Sequence, residues 1–168
     1  MSDNEKVAVV SVASGLERTA ETPAQPGPEH RKLGVFAGKW INQGHTIARD
    51  GVPSAEILTS DIYEWAPGGF FLVHSAYGRI GEFGVGGIEI ISFDPAAGSY
   101  VSRFFDSQGN ASTARLTEKD GHWTWADEHT RTTASFSQDG MVQTAHHESS
   151  EDGTTWIASM DVTLYRID

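Results

Sequence analysis

The sequence predicts an all-β fold, an antiparallel up-and-down β-barrel of about ten strands with a short N-terminal helix and an extended N-terminal tail. Three observations predict it. Short segments of β-type composition follow one another from Gly38-Lys39-Trp40 almost to the C-terminus. Turn residues interrupt them at short intervals, at Pro67-Gly68-Gly69, Asp94-Pro95, Gln108-Gly109-Asn110, Asp120-Gly121, Asp139-Gly140 and Asp152-Gly153. No long helical period appears after residue 37 and no internal repeat stands out. Short connections make neighbours in sequence neighbours in space, so one rolled sheet explains the pattern more simply than two domains.

Taken in order, residues 1–28 form a tail and linker, and residues 29–168 a single barrel domain. Glu21-Thr22-Pro23-Ala24-Gln25-Pro26-Gly27-Pro28 is Pro-rich and has no core-building residues. The β-branched run at 7–12 is either a mobile end or a loose strand that pairs with an exposed edge of its own sheet or of a second copy. A helix is expected from Glu29 to Phe36, with Pro28 near its start and Leu33 and Phe36 on one apolar side. Strands are expected at 39–48, 55–66, 69–78, 84–93, 98–107, 110–118, 121–127, 130–137, 140–150 and 154–167. Gly84, Gly86 and Gly87 suggest a bend or bulge in the fourth.

A chain of 168 residues can bury a substantial core without disulfides or metals. The absence of cysteine excludes thiol catalysis, Cys-zinc sites and disulfide scaffolds, and suits a cytoplasmic location. A formal net charge of -11, from 23 acidic and 12 basic residues, argues against nucleic acid and anionic membranes as partners. No segment approaches the roughly 18 consecutive apolar residues of a membrane span. The acidic start Asp3-Asn4-Glu5-Lys6 is unlike a signal peptide.

Gly27-Pro28-Glu29-His30-Arg31-Lys32-Leu33, followed by Ala37-Gly38-Lys39-Trp40, resembles a family of lipocalin-like bacterial proteins known as domain of unknown function 1579. The resemblance continues through Glu64-Trp65-Ala66-Pro67-Gly68-Gly69-Phe70-Phe71-Leu72, Ser92-Phe93-Asp94-Pro95 and Phe105-Asp106-Ser107-Gln108-Gly109. It extends to Glu148-Ser149-Ser150-Glu151-Asp152-Gly153-Thr154-Thr155-Trp156 and Met160-Asp161, and so spans about residues 27–167. It implies a calycin-type barrel with the helix near one end and Trp40 packed across the closed end. It implies no activity and no catalytic motif.

Alternate residues of a barrel strand face the interior, which defines the candidate site. Tyr63 and Trp65 share one strand face, as do Trp123 and Trp125, and Phe104 adds to a possible aromatic wall. His74 lies in an apolar strand, where an inward imidazole would be donor, acceptor or base. In His146-His147-Glu148 only His146 and Glu148 share a face. A metal would need further ligands from His74 or Asp161, and none is expected. Arg131 opposite Glu148 or Asp106 would orient a polar or anionic group, and Asp61, Glu89, Arg103 and Asp161 need partners wherever they face inward. The candidate ligand-binding set is therefore Trp40, Tyr63, Trp65, His74, Phe104, Asp106, Trp125, Arg131, His146 and Glu148, with His74 and His146 as candidate catalytic groups.

P-loop, dinucleotide and nucleophile-elbow motifs are absent, and no cofactor is expected. The first expectation is a barrel that binds a small hydrophobic or aromatic molecule. The alternative is a cofactor-free isomerase, cyclase or hydrolase working in the same interior. A haem site on an edge histidine and a homodimer docked through the N-terminal run are weaker readings.

Overall fold

A computed structural model describes residues 24–168, in which ten strands close into one antiparallel barrel. The strands are β1 (Gly38–Thr46), β2 (Glu56–Trp65), β3 (Phe71–Ile80), β4 (Phe83–Asp94), β5 (Ser99–Asp106), β6 (Ala111–Lys119), β7 (His122–Ala126), β8 (Thr130–Phe136), β9 (Val142–Ser149) and β10 (Ile157–Arg166). Each pairs with its neighbours in sequence, and β1 closes on β10 with Trp40 opposite Arg166. This is the up-and-down barrel that the ladder of turns predicts. The β-branched run at 7–12 and most of the expected tail lie outside the described residues.

Turn chemistry explains the regularity. Asp120 and Gly121 both take positive φ, 53° and 80°, as the mirror-image turn of a two-residue β-hairpin demands. Aspartates open several other turns by accepting backbone N–H groups. Asp94 accepts from Ala96 and Ala97, Asp106 from Gln108 and Asn110, Asp127 from His129 and Thr130, and Asp152 from Thr154 and Thr155. Part of the chain's acidity is thus turn chemistry.

Helix α1 (Pro28–Lys32) runs into a 3-10 turn at Leu33–Val35, so the expected helix at 29–36 tightens in its second half. Leu33 and Phe36 are fully buried, as their shared apolar side requires. Together with Trp40, Leu72, Ile91, Leu116 and Trp123 they fill one end of the barrel. Phe36 meets Trp123, Trp125 and Phe136 edge-on at 4.9–5.4 Å. Full burial of a side chain such as Leu33 or Phe36 contributes about 1.5–3 kcal/mol. Trp40 Nε1 donates to the Phe36 carbonyl at 2.8 Å, and the Arg166 guanidinium lies 4.5 Å over the Trp40 ring while donating to the Val35 carbonyl. Those contacts hold the plug to the first and last strands.

The bulge expected in the fourth strand is absent. β4 keeps an unbroken register with β3 and β5. Its glycines serve close approach: a Cβ on Gly87 would fall 2.5 Å from the tip of the Phe104 ring. The register shift occurs in β10, between Ala158 and Met160, and it sets the inward parity of that strand. Among the described residues no helix is long and apolar enough to cross a membrane.

Candidate functional site

With one end plugged, the opposite end leaves a cavity of about 460 Å³ inside the barrel. The loops 47–55, 81–82, 107–110, 127–129 and 150–156 surround its mouth. Apolar lining comes from Ile57, Ile80, Phe104, Met160, Val162 and Leu164. These six come from β2, β3, β5 and β10, and the lining as a whole draws on all ten strands by alternation, which sends every second residue inward.

The floor is polar and ordered in layers. The Tyr63 ring stacks against Phe36 of the plug at 5.7 Å and against His74 on its other side at 3.9 Å. His74 Nδ1 donates to Glu89 Oε2 at 2.8 Å. Glu89 Oε1 accepts from Ser102 Oγ at 2.5 Å and from Trp125 Nε1 at 2.9 Å. The other side of the imidazole faces Asp61, with 3.4 Å between His74 Nε2 and Asp61 Oδ2. That contact is electrostatic, since His74 Nε2 makes no hydrogen bond. Asp61, His74 and Glu89 are all buried.

Burial by itself would push the His74 imidazole down, but Asp61 and Glu89 outweigh burial and hold it up at about 9. Burial works to raise Glu89, and the bonds from His74, Ser102 and Trp125 outweigh it, so this carboxyl is lowered. Burial, with the Asp61 and Glu89 charges nearby, raises the Tyr63 phenol well above its ordinary value. At neutral pH the floor therefore holds an imidazolium between Asp61 and Glu89, with a neutral phenol stacked against it.

A second histidine, His147, enters from β9 higher in the cavity, hydrogen-bonded to Thr132 Oγ1 at 2.8 Å. Burial, reinforced by the His146 charge, pulls it down to about 4, so it is neutral at pH 7. The amide oxygens of Asn42 and Gln143 are also buried without a hydrogen-bond partner.

The residues singled out from sequence divide between the two faces of the wall. Tyr63, His74, Phe104 and Trp125 line the cavity. Trp40 is fully buried in the closed-end core and does not line it, and Trp123 lies in that same core. Trp65 follows Tyr63 by alternation but stands at the closed-end tip of β2, opposite Leu72 and 37% exposed. Asp106 caps the turn between β5 and β6. Arg131 and Glu148 pair at 2.7 Å outside the cavity, with the guanidinium 4.6 Å over Trp156, so they orient nothing in the interior.

His146 pairs with Asp161 at 2.5 Å in an open groove across β1, β10, β9 and β8. The wall separates it from His74. Among the described residues no group of three or more His, Asp or Glu is arranged to hold a metal ion. Sequence reasoning set His147 aside because it follows His146 and precedes Glu148. The Gln143-x-Ala145-x-His147 alternation is the signal that places it inward. Asp61 and Glu89, named only as charges in need of partners, become the two carboxylates of the floor.

The family model described as Protein of unknown function (DUF1579) matches residues 25–132. Among solved structures, that of Rv2717c from M. tuberculosis is similar, with a TM-score of 0.60 and 14% identity, covering 84% of this chain and 99% of that one. A protein with unknown function from the DUF3598 family of Nostoc punctiforme gives a TM-score of 0.57 at 17% identity, covering 80% of this chain and 49% of that one. At these identities the likeness is one of fold. No curated protein matches the sequence. The family match takes in well over half of the chain, and the resemblance seen in its motifs points to the same place: the chain belongs to the DUF1579 family.

Proposed function

We propose that the barrel binds a small, largely apolar or aromatic molecule in its interior. The observation that carries this reading is the cavity of about 460 Å³, whose walls mix apolar and neutral polar side chains over a charged floor. That volume and lining are those of small-molecule sites in general. The test is a fluorescence titration with the neutral probe N-phenyl-1-naphthylamine. Saturable enhancement with one site per chain is expected. No enhancement, or enhancement unchanged when the cavity is filled by Ala114→Leu, would count against the reading.

The floor favours a second reading, a cofactor-free enzyme acting on a hydrophobic substrate in the same cavity. His74, protonated at neutral pH, would serve as acid or cationic hydrogen-bond donor, and Asp61 as base. A ligand eluted from purified protein and returned to fresh protein distinguishes the two. Chromatographically unchanged ligand supports binding alone; conversion that stops in His74→Gln supports catalysis.

A further inference from the structure

The charge inside the cavity has a sign, and the sign selects a ligand. Asp61 and Glu89 stand against one imidazolium, His74, which leaves one uncompensated negative charge at the floor. Among the described residues no Lys or Arg lines the cavity. His147 is neutral at pH 7 and adds no positive charge. Asp127 at the mouth is acidic too, though its oxygens are taken by the backbone N–H groups of His129 and Thr130 and the Thr130 hydroxyl.

The two floor carboxylates differ in how far they are satisfied. Glu89 accepts three hydrogen bonds, from His74, Ser102 and Trp125. Asp61 accepts none among the described residues, and its nearest counter-charge is His74 Nε2 at 3.4 Å. It is nonetheless 7% exposed and lines the cavity. A buried carboxylate without donors is expensive, and the cost falls when a ligand supplies them.

The same side of the interior collects further acceptors. Gln143 on β9 pairs in register with Leu164 on β10, Leu164 with Asn42 on β1, and Asn42 with Thr59 on β2, two residues before Asp61. The unpartnered Oδ1 of Asn42 and Oε1 of Gln143 therefore sit on this arc. Asn42 Nδ2 is already spent on Thr59 Oγ1 at 2.8 Å. The Asn42 and Gln143 oxygens are closed to solvent, whereas Asp61 lines the cavity. A cavity carboxylate that accepts no hydrogen bond fits a head group that is cationic and carries N–H donors.

We propose that the cavity selects molecules whose apolar body ends in a protonated primary amine, seated against Asp61. This rests on the interior being a binding site. A carboxylate head is excluded by the same charge, because it would bring a third anion into a desolvated floor. A hydroxyl head fits the space and leaves the charge uncompensated.

The test uses three probes with one aromatic body: 1-naphthylmethylamine, 1-naphthylmethanol and 1-naphthoic acid, each competing with N-phenyl-1-naphthylamine at pH 7. The amine should bind at least about tenfold more tightly than the alcohol, and the acid more weakly than the alcohol. In Asp61→Asn the amine and the alcohol should converge to within about twofold. An alcohol that equals the amine on the natural protein, or an amine advantage intact in Asp61→Asn, overturns the proposed charge preference and leaves cavity binding standing. If neither fluorophore nor probes bind, the binding reading falls and this proposal with it. The ranking on the natural protein decides alone should Asp61→Asn not fold.

Discussion

The Tyr63 ring lies flat on the His74 imidazole, with centroids 3.9 Å apart and planes within 8°. This stack ties the closed-end plug to the polar floor, because the other face of Tyr63 meets Phe36. An imidazolium over an aromatic face is itself favourable, and the stack fixes how His74 meets Asp61 and Glu89.

Removing that cation should be costly. His74→Ala leaves Asp61 and Glu89 buried without their counter-charge, and about 3–5 kcal/mol of stability should be lost at pH 7. Urea unfolding followed by tryptophan fluorescence measures it. Ser102→Ala takes away only one donor to Glu89 and should cost about 1.5–3 kcal/mol.

Stability should peak near the ordinary histidine pKa. His74 is held at about 9 in the folded state, above its ordinary 6.5, so the folded protein binds the extra proton between those values. Its contribution, roughly 3 kcal/mol, is fully present below pH 6.5 and lost as pH rises through 9. His147 works in the opposite sense. Its folded value is about 4, so the unfolded chain binds more protons between 4 and 6.5, and stability rises with pH across that window. Lowered carboxyls such as Glu89, Asp106 and Asp139 steepen the loss on the acid side. Urea midpoints from pH 4 to 9 should show the maximum, and His74→Gln should flatten the alkaline limb.

The two adjacent histidines should separate cleanly. His146 and Asp161 are 46% and 66% exposed, so His146→Ala should change stability by less than about 0.5 kcal/mol and leave probe affinity unchanged. His147→Ala alters the cavity wall and should change probe affinity severalfold. Parallel titrations with N-phenyl-1-naphthylamine read both.

The closed end should be separable from the cavity. Trp40→Phe removes the bond to the Phe36 carbonyl and weakens the contact with Arg166. A cost of about 1–3 kcal/mol is expected, with fluorophore affinity changed less than about twofold. A large loss of affinity in a well-folded Trp40→Phe protein would place Trp40 in the site after all.

These contrasts mark where the sequence is readable. Strand order is legible because the turns carry their own chemistry: Asp120-Gly121 needs two positive φ values, and Asp106 and Asp152 cap their own loops. The burial of Leu33 and Phe36 is legible from their shared apolar side, and the place of Trp40 at the closed end from the family resemblance. The cavity lining is not. A cavity with a polar lining takes Asn42, Thr59, Ser112, Thr132, Gln143 and His147 inward, so polar residues occupy both faces of β9 and alternation loses its contrast. The bulge between Ala158 and Met160 shifts the parity of β10 without any glycine to announce it. Asp106 reads as an inward charge only while its role in the turn is unseen.

The most direct measurement is a crystal structure of the protein grown with N-phenyl-1-naphthylamine. Ring density inside the barrel, between Phe104 and Trp125 and above His74, is the predicted result. A barrel interior without the probe, or a probe bound only in the outer groove beside His146 and Asp161, would contradict the account.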